Sequence, residues 1–337
     1  MGYKLDKSFS RLWSIEEGLA MVVTDLHGNW EVYQRYRDRF VDLYAKGQVD
    51  CLILTGDLIH RENPNEPDKS VEIVLDVMDL RSRYGDAVIY LCGNHELPHI
   101  YAITLSKGNR VYTPAFEDAL NKSARRDDVI AFFDSLPFFL RTCAGITLTH
   151  AGASAPFATP ANAPKIFNWS HQDLLAWAEN ILRPEDLESL QKGYAHFQGG
   201  VSYEEMARHY LGVSGPDDPH YNDLLRGFFA SSQPEFDSLI WPTLFTRCES
   251  EYGFTDYGIF LVAMLKEVSV DFFPQHVVVA GHMPIRGGHQ IITRNHLRLA
   301  SGPHATPNEA GEYLLIDVAK PIERIEDLLS GLGSVFQ

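Results

Sequence analysis

The chain has 337 residues, 45% of them apolar, enough for one large α/β domain or two smaller ones around a sizeable core. Its formal net charge of −16 argues against nucleic acid as a partner, because a phosphate backbone needs a basic surface. No apolar stretch approaches the roughly 20 residues of a membrane span, and the N-terminal segment reads as neither a signal peptide nor a myristoylation site.

The first apolar, β-branched run covers residues 20–24 and has the length of a buried strand. A helical stripe follows, with Val32, Tyr33, Tyr36, Phe40, Val41 and Tyr44 at three-and-four spacing and a stop before Gly47. A second run at 51–55 precedes a second stripe of Val71, Val74, Leu75, Met78 and Leu80, which ends at Gly85. Further strand-like runs lie at 88–92, 146–149, 277–280, 297–300 and 313–318. Alternation of this kind implies an α/β sheet with helices on its faces. Residues from about 153 to 242 differ: an Ala/Pro-rich loop leads into helix-like stretches with no convincing strand, read as a mostly helical insertion on a single domain spanning 1–337. Cys51, Cys92, Cys143 and Cys248 lie in or beside apolar runs without a paired pattern and read as reduced core thiols of a cytoplasmic protein.

Almost every run ends in a residue able to hold a metal or a phosphate. Asp25-Leu26-His27-Gly28-Asn29 follows the first, Gly56-Asp57 the second and Gly93-Asn94-His95-Glu96 the third; His150 and Gly281-His282 close two later ones. Open α/β sheets place sites at the carboxyl ends of their strands, so these loops should converge. Carboxylate and imidazole donors without thiolate suit two divalent ions such as manganese, iron or zinc, and Asp57 could bridge them. Strand alternation would point Asp25 and His27 one way and Leu26 into the core.

DLHGN, GDLIHR, GNHE, HAG and GH resemble the signature blocks of the calcineurin-like metallophosphoesterases, in particular the phosphoprotein-phosphatase branch, as a divergent, bacterial-type member. The likeness runs from about Met21 to Val318, without the helical insertion, and takes in the terminal loop SGPH. It implies a β-sandwich flanked by helices. It also implies one metal held by Asp25, His27 and Asp57, a second held by Asp57, Asn94, His150 and His282, and attack by a hydroxide bridging them. Arg61 matches the arginine that clamps the substrate phosphate beside Asn94, with Arg247 as a looser second, and His95 matches the acid that protonates the leaving oxygen.

Two positions depart from the GDxVDRG block: His60 replaces its second Asp and Glu62 its final Gly. Without that Asp, His95 lacks a compensating charge, which favours aryl or anhydride leaving groups over alkyl ones. SGPH likewise replaces an Asn-Tyr seen in many eukaryotic members. Hydrolysis of phosphate monoesters, on Ser/Thr or Tyr phosphoproteins or small esters, is the leading reading. A dinucleoside polyphosphate hydrolase is the alternative, since those enzymes also lack the Asp, although GNHE leans towards the phosphatases. An inactive phosphate-binding scaffold is disfavoured by the complete ligand set.

Overall fold

Alternate residues of the apolar runs face one shared layer: Ala20 and Val22, Cys51 and Ile53, Ile146 and Leu148, Val277 and Val279, Leu297 and Leu299, Leu314 and Ile316. The computed structural model describes residues 3–63, 65–183, 185–246 and 249–336. Among them, that layer lies between two mixed sheets. One runs, in spatial order, Leu5–Asp6, Leu12–Ile15, Phe139–Thr142, Ile146–Thr149, Val277–Ala280, His296–Leu299 and His289–Thr293. The other runs Leu332–Gly333, Tyr313–Asp317, Leu19–Val23, Cys51–Leu54 and Val88–Tyr90. The result is the expected α/β architecture, a β-sandwich with helices outside it.

Leu19–Val23, Cys51–Leu54 and Val88–Tyr90 are parallel, so the loops after all three emerge at one end. Ile146–Thr149 and Val277–Ala280 are also parallel and deliver their loops together. The crossover helices fall on the two stripes, but Val41, Leu75 and Met78 are only half-buried, and Leu43, Ile73 and Val77 take core positions in their stead. Trp30–Ala45 is capped by Asn29, whose side chain accepts from the Val32 amide at 3.3 Å, and buries Val32, Tyr33, Tyr36, Phe40 and Leu43. Tyr44 stays exposed, its ring tilted against Phe40 and edge-to-face with Tyr84. Ser70–Tyr84 buries Val71, Ile73, Val74, Val77 and Leu80 and stops at Gly85, whose φ of +59° suits glycine.

Two compact units emerge. Met1–Asn94, Leu136–Trp169 and Ser238–Gln337 form the sandwich unit; His95–Ser135 and Ser170–Asp237 form the other. The helix-rich unit thus has limits different from the 153–242 read from sequence: it draws in 95–135 and leaves 153–169 and 238–242 with the sheets. Its core gathers Tyr203, Met206, Ala207, Leu211, Tyr221, Leu224 and Leu225. Cys51 and Cys92 are buried, Cys143 is only half-buried, and Cys248 lies outside the described residues. No described helix is long and apolar enough to cross a membrane.

Within the helix-rich unit, Glu117 is fully buried between a histidine and an arginine: its Oε1 lies 2.5 Å from His99 Nδ1, and its other oxygen pairs with Arg126. Burial alone would raise its pKa, but His99 and Arg126 outweigh it and hold the carboxyl below the ordinary value of 4.5. A depressed pKa means stability that is complete above about pH 4.5 and is lost as pH falls below it. Glu117→Gln should therefore cost about 3–5 kcal/mol, because it leaves Arg126 buried without a counter-charge, and should flatten the acid limb of the stability curve. Urea unfolding at pH 7 and pH 4 checks this; equal losses at both would show that the Glu117 charge is not what the folded state needs.

Candidate metal centre

Asp25 and His27 do not sit on a strand. Leu19–Val23 ends before them, and both adopt left-handed backbone, at φ 45° and 43°, while Leu26 between them is fully buried. Strand alternation is thus replaced by a tight loop that achieves the same division of side chains. Asp57 (φ 52°), His60 (φ 69°) and His282 (φ 71°) share that conformation. Each costs a non-glycine residue about 1–3 kcal/mol, and such strain collects where a site must be held in shape. Amide hydrogen bonds fasten the loops to one another. The Asp25, His27 and Gly28 amides donate to Gly56, Asp57 and Leu58 at 3.3, 3.0 and 2.7 Å, and the Gly281 amide to His150 at 3.0 Å.

The structure brings Asp25, His27, Asp57, Asn94, His150 and His282 together in the sandwich unit, all buried except His282, which keeps some exposure. The Asp25 carboxylate accepts from the His282 amide at 2.9 and 3.0 Å. His150 Nδ1 faces the Thr55 carbonyl at 3.0 Å, and His27 Nδ1 the Ile59 carbonyl at 3.3 Å. A carbonyl can only accept, so each Nδ1 carries a proton, and in the neutral ring each Nε2 is then the lone-pair nitrogen, turned inward. Around His150 Nε2 stand Asn94 Oδ1 at 2.8 Å, His282 Nδ1 at 3.1 Å and Asp57 Oδ2 at 3.3 Å. A proton can satisfy one of these pairs; a cation among them satisfies all four atoms. The donor set therefore fits a divalent metal. Asp57 Oδ2 also lies 3.9 Å from His27 Nε2, so one oxygen faces both histidines.

Two groups of three in this unit could each hold an ion, their donor atoms within 4.8 Å of one another: Asp25, His27 and His304, and Asp57, His150 and His282. His304 was not singled out as a donor from sequence. It comes from the SGPH loop, buried, with its ring 4.5 Å from that of His27. Desolvation disfavours its cation, but Asp25 and Glu62 prevail and raise its pKa to about 10. In turn, His304 leads the groups that outweigh burial and keep Asp25 below the carboxylate range. Burial, with His304 beside it, lowers the pKa of His27. Desolvation, then His150, pushes His282 down to about 3.

Of the other expected residues, Arg61 is buried and ion-paired to Glu66. It lines a cleft of about 280 Å³ with Asn29, Asn63, Pro303 and Asn308. His60 is buried, its amide donating to Ser70 Oγ at 2.7 Å. His95 opens the helix-rich unit directly after Asn94, its ring 5.3 Å from that of Tyr112. Arg247 lies outside the described residues.

Residues 20–221, more than half of the chain, match the family model for the calcineurin-like phosphoesterases. The chain belongs to that family. Five of the six converging residues fall inside the match; His282 and the added His304 lie beyond it. Membership in the calcineurin-like phosphoesterases makes the chain a phosphoesterase hydrolase of a family that uses divalent metals. No curated protein matches its sequence.

Solved structures similar to this calcineurin-like phosphoesterase include a protein serine/threonine phosphatase from Saccharomyces cerevisiae with similarity to human phosphatase PP5. It shows 15% identity, covers 97% of this chain and 82% of its own, and gives a TM-score of 0.47. The cold-active protein-tyrosine phosphatase of a psychrophilic Shewanella is 15% identical over 91% of this chain and 77% of its own, with a TM-score of 0.41. A metallophosphoesterase from Sphaerobacter thermophilus is 12% identical over 94% and 92%, with a TM-score of 0.33. At these values none carries an argument about the chemistry of this chain.

Proposed function

We propose that the chain is a two-metal phosphatase acting on phosphate monoesters, with residues 1–337 working as one enzyme in the cytoplasm. Asp25, His27 and Asp57 would hold one manganese, iron or zinc ion, and Asp57, Asn94, His150 and His282 the other. Bound there, such ions supply the positive charge that lowers the pKa of water and neutralises phosphoryl oxygens. The observation that carries the reading is the position of Asp57 Oδ2, 3.3 Å from His150 Nε2 and 3.9 Å from His27 Nε2, one oxygen within reach of both groups.

The chain's own residues do the remaining work. The Thr55 and Ile59 carbonyls fix two imidazole tautomers before any ligand arrives, so no reorientation is needed when one binds. Arg61 presents a planar guanidinium suited to two phosphoryl oxygens, and its partner Glu66 occupies it until a phosphate displaces that carboxylate. We assign His95 the proton delivered to the leaving oxygen, and Arg247 a second phosphate contact, both from the family resemblance.

His60, in place of the family's Asp, favours a second reading, a dinucleoside polyphosphate hydrolase. Manganese-loaded protein assayed against an aryl phosphate, a phosphoserine peptide and diadenosine tetraphosphate separates the two. The aryl phosphate should turn over fastest and the phosphoserine peptide measurably. Turnover of the tetraphosphate alone would replace the phosphatase by the second reading. Silence on all three by fully loaded protein would leave a scaffold.

A further inference from the structure

The two departures at Glu62 and in the SGPH loop land on each other. His304 Nε2 lies 3.7 Å from Glu62 Oε1, and His304 Nδ1 lies 3.4 Å from Asp25 Oδ1. Both ring nitrogens are buried, and neither reaches a partner at hydrogen-bonding geometry. Donors bound to one ion at about 2.1 Å stand about 3–4.3 Å apart. The Asp25–His304 separation falls in that range, and the donor atoms of Asp25, His27 and His304 all lie within 4.8 Å of one another. The loop that carries His304 is fastened at several points. The Ile285 amide donates to the His304 carbonyl at 2.8 Å and the Ala305 amide to Gly302 at 2.8 Å, while Ser301 Oγ accepts from the Thr24 amide at 3.0 Å.

We propose that His304 is a fourth protein donor to the ion held by Asp25, His27 and Asp57, binding through Nδ1, and that Glu62 is a positioning residue that holds Nε2–H. A carboxylate behind a ligating imidazole fixes its tautomer and increases its basicity. Glu62 can do this only because it stands where the family has a glycine, so the two replacements form one functional unit. The inference rests on the two-metal reading and deepens it: the ion on the Asp25 side has one imidazole more than the resemblance gives it.

The test measures metal, not turnover. Metal-free wild-type protein, His304→Ala, His304→Gln and Glu62→Gln are titrated with Mn²⁺ by calorimetry, and their Co²⁺ forms are compared by visible absorption. Wild type should take up two ions. His304→Ala and His304→Gln should bind one ion about 100-fold more weakly, with a changed Co²⁺ spectrum, while the ion at Asp57, His150 and His282 binds as before. Glu62→Gln should weaken the same ion about 10-fold. The retained ion shows that the variants have folded, and His304→Gln, closer in size, replaces the alanine variant should that one misfold. Two ions bound by the His304 variants with wild-type affinity and spectrum would reduce His304 to a counter-ion of Asp25 and overturn the inference. Fewer than two ions in wild type would overturn the two-metal reading beneath it.

Discussion

Asp57→Asn should lower kcat on an aryl phosphate by about 10³-fold or more, equivalent to about 4 kcal/mol of transition-state stabilisation. The replacement keeps shape and removes only charge. Asp57 is almost fully buried, so its carboxylate acts where little water screens it. Its Oδ2 is the atom that faces both His27 and His150, and a neutral amide oxygen there would leave each ion with one anionic partner fewer. Metal content should fall with activity, from two ions per chain towards one or none after dialysis. Far-UV circular dichroism should stay unchanged. A variant that keeps two ions and most of its kcat would show that Asp57 is not shared.

Gly281→Ala should be as damaging, although it removes no functional group. A Cβ at this position would stand 1.8 Å from Asp25 Oδ2 and 2.9 Å from Thr24 Cβ. Asp25 cannot step aside, because the His282 amide holds both its oxygens and its own backbone is already left-handed. The main chain at 281 and 282 must move instead and carry the His282 ring with it. Overpacking of this kind costs about 1–3 kcal/mol, and displacing two donors at once should abolish tight metal binding. Gly258 is the matched control. It lies in the helix Phe254–Val268 with open space where a Cβ would go, so Gly258→Ala should be neutral or gain up to about 1 kcal/mol. Thermal unfolding of the metal-free proteins and their titration with Mn²⁺ decide it; a Gly281→Ala protein matching Gly258→Ala in both would show that the close approach is not real.

The sequence was legible where one physical signal dominated. Unbroken apolar runs are buried on both faces, and Ile146–Thr149 and Val277–Ala280 fall where those runs do. Leu12–Ile15 and Phe139–Thr142 escaped because Ser14 and Arg141 interrupt them. In the fold the two pair, Arg141 Nε donating to Ser14 Oγ at 2.8 Å, and another guanidinium nitrogen donates to Val268 and Val270 at 2.8 Å. A satisfied buried arginine reads as surface until its partners are known. The donors after the strands were visible as residue types; the left-handed turns that aim them were not, since Asp and His, though enriched there among non-glycine residues, still adopt that conformation only rarely. His304 was hidden for another reason. It lies more than two hundred residues from Glu62 in the chain, and only the anchoring of Ser301 and Ile285 brings the two together.

Asp25, Asp57 and Asn94 leave the ends of strands in one sheet, whereas His150 and His282 leave strands of the other. His27 comes with Asp25 after the same strand, so two banks of donors, one from each sheet, face each other across the seam of the sandwich, and their spacing records how one sheet is seated on the other. Ile53 and Val279 lie in the layer that sets this seating. Because that layer is close-packed and transmits strain, a lost methyl group there leaves a cavity into which the facing strands relax in part. An alteration deep in the apolar layer would then reach the chemistry as a change of distance between two banks of donors, with every donor still in place.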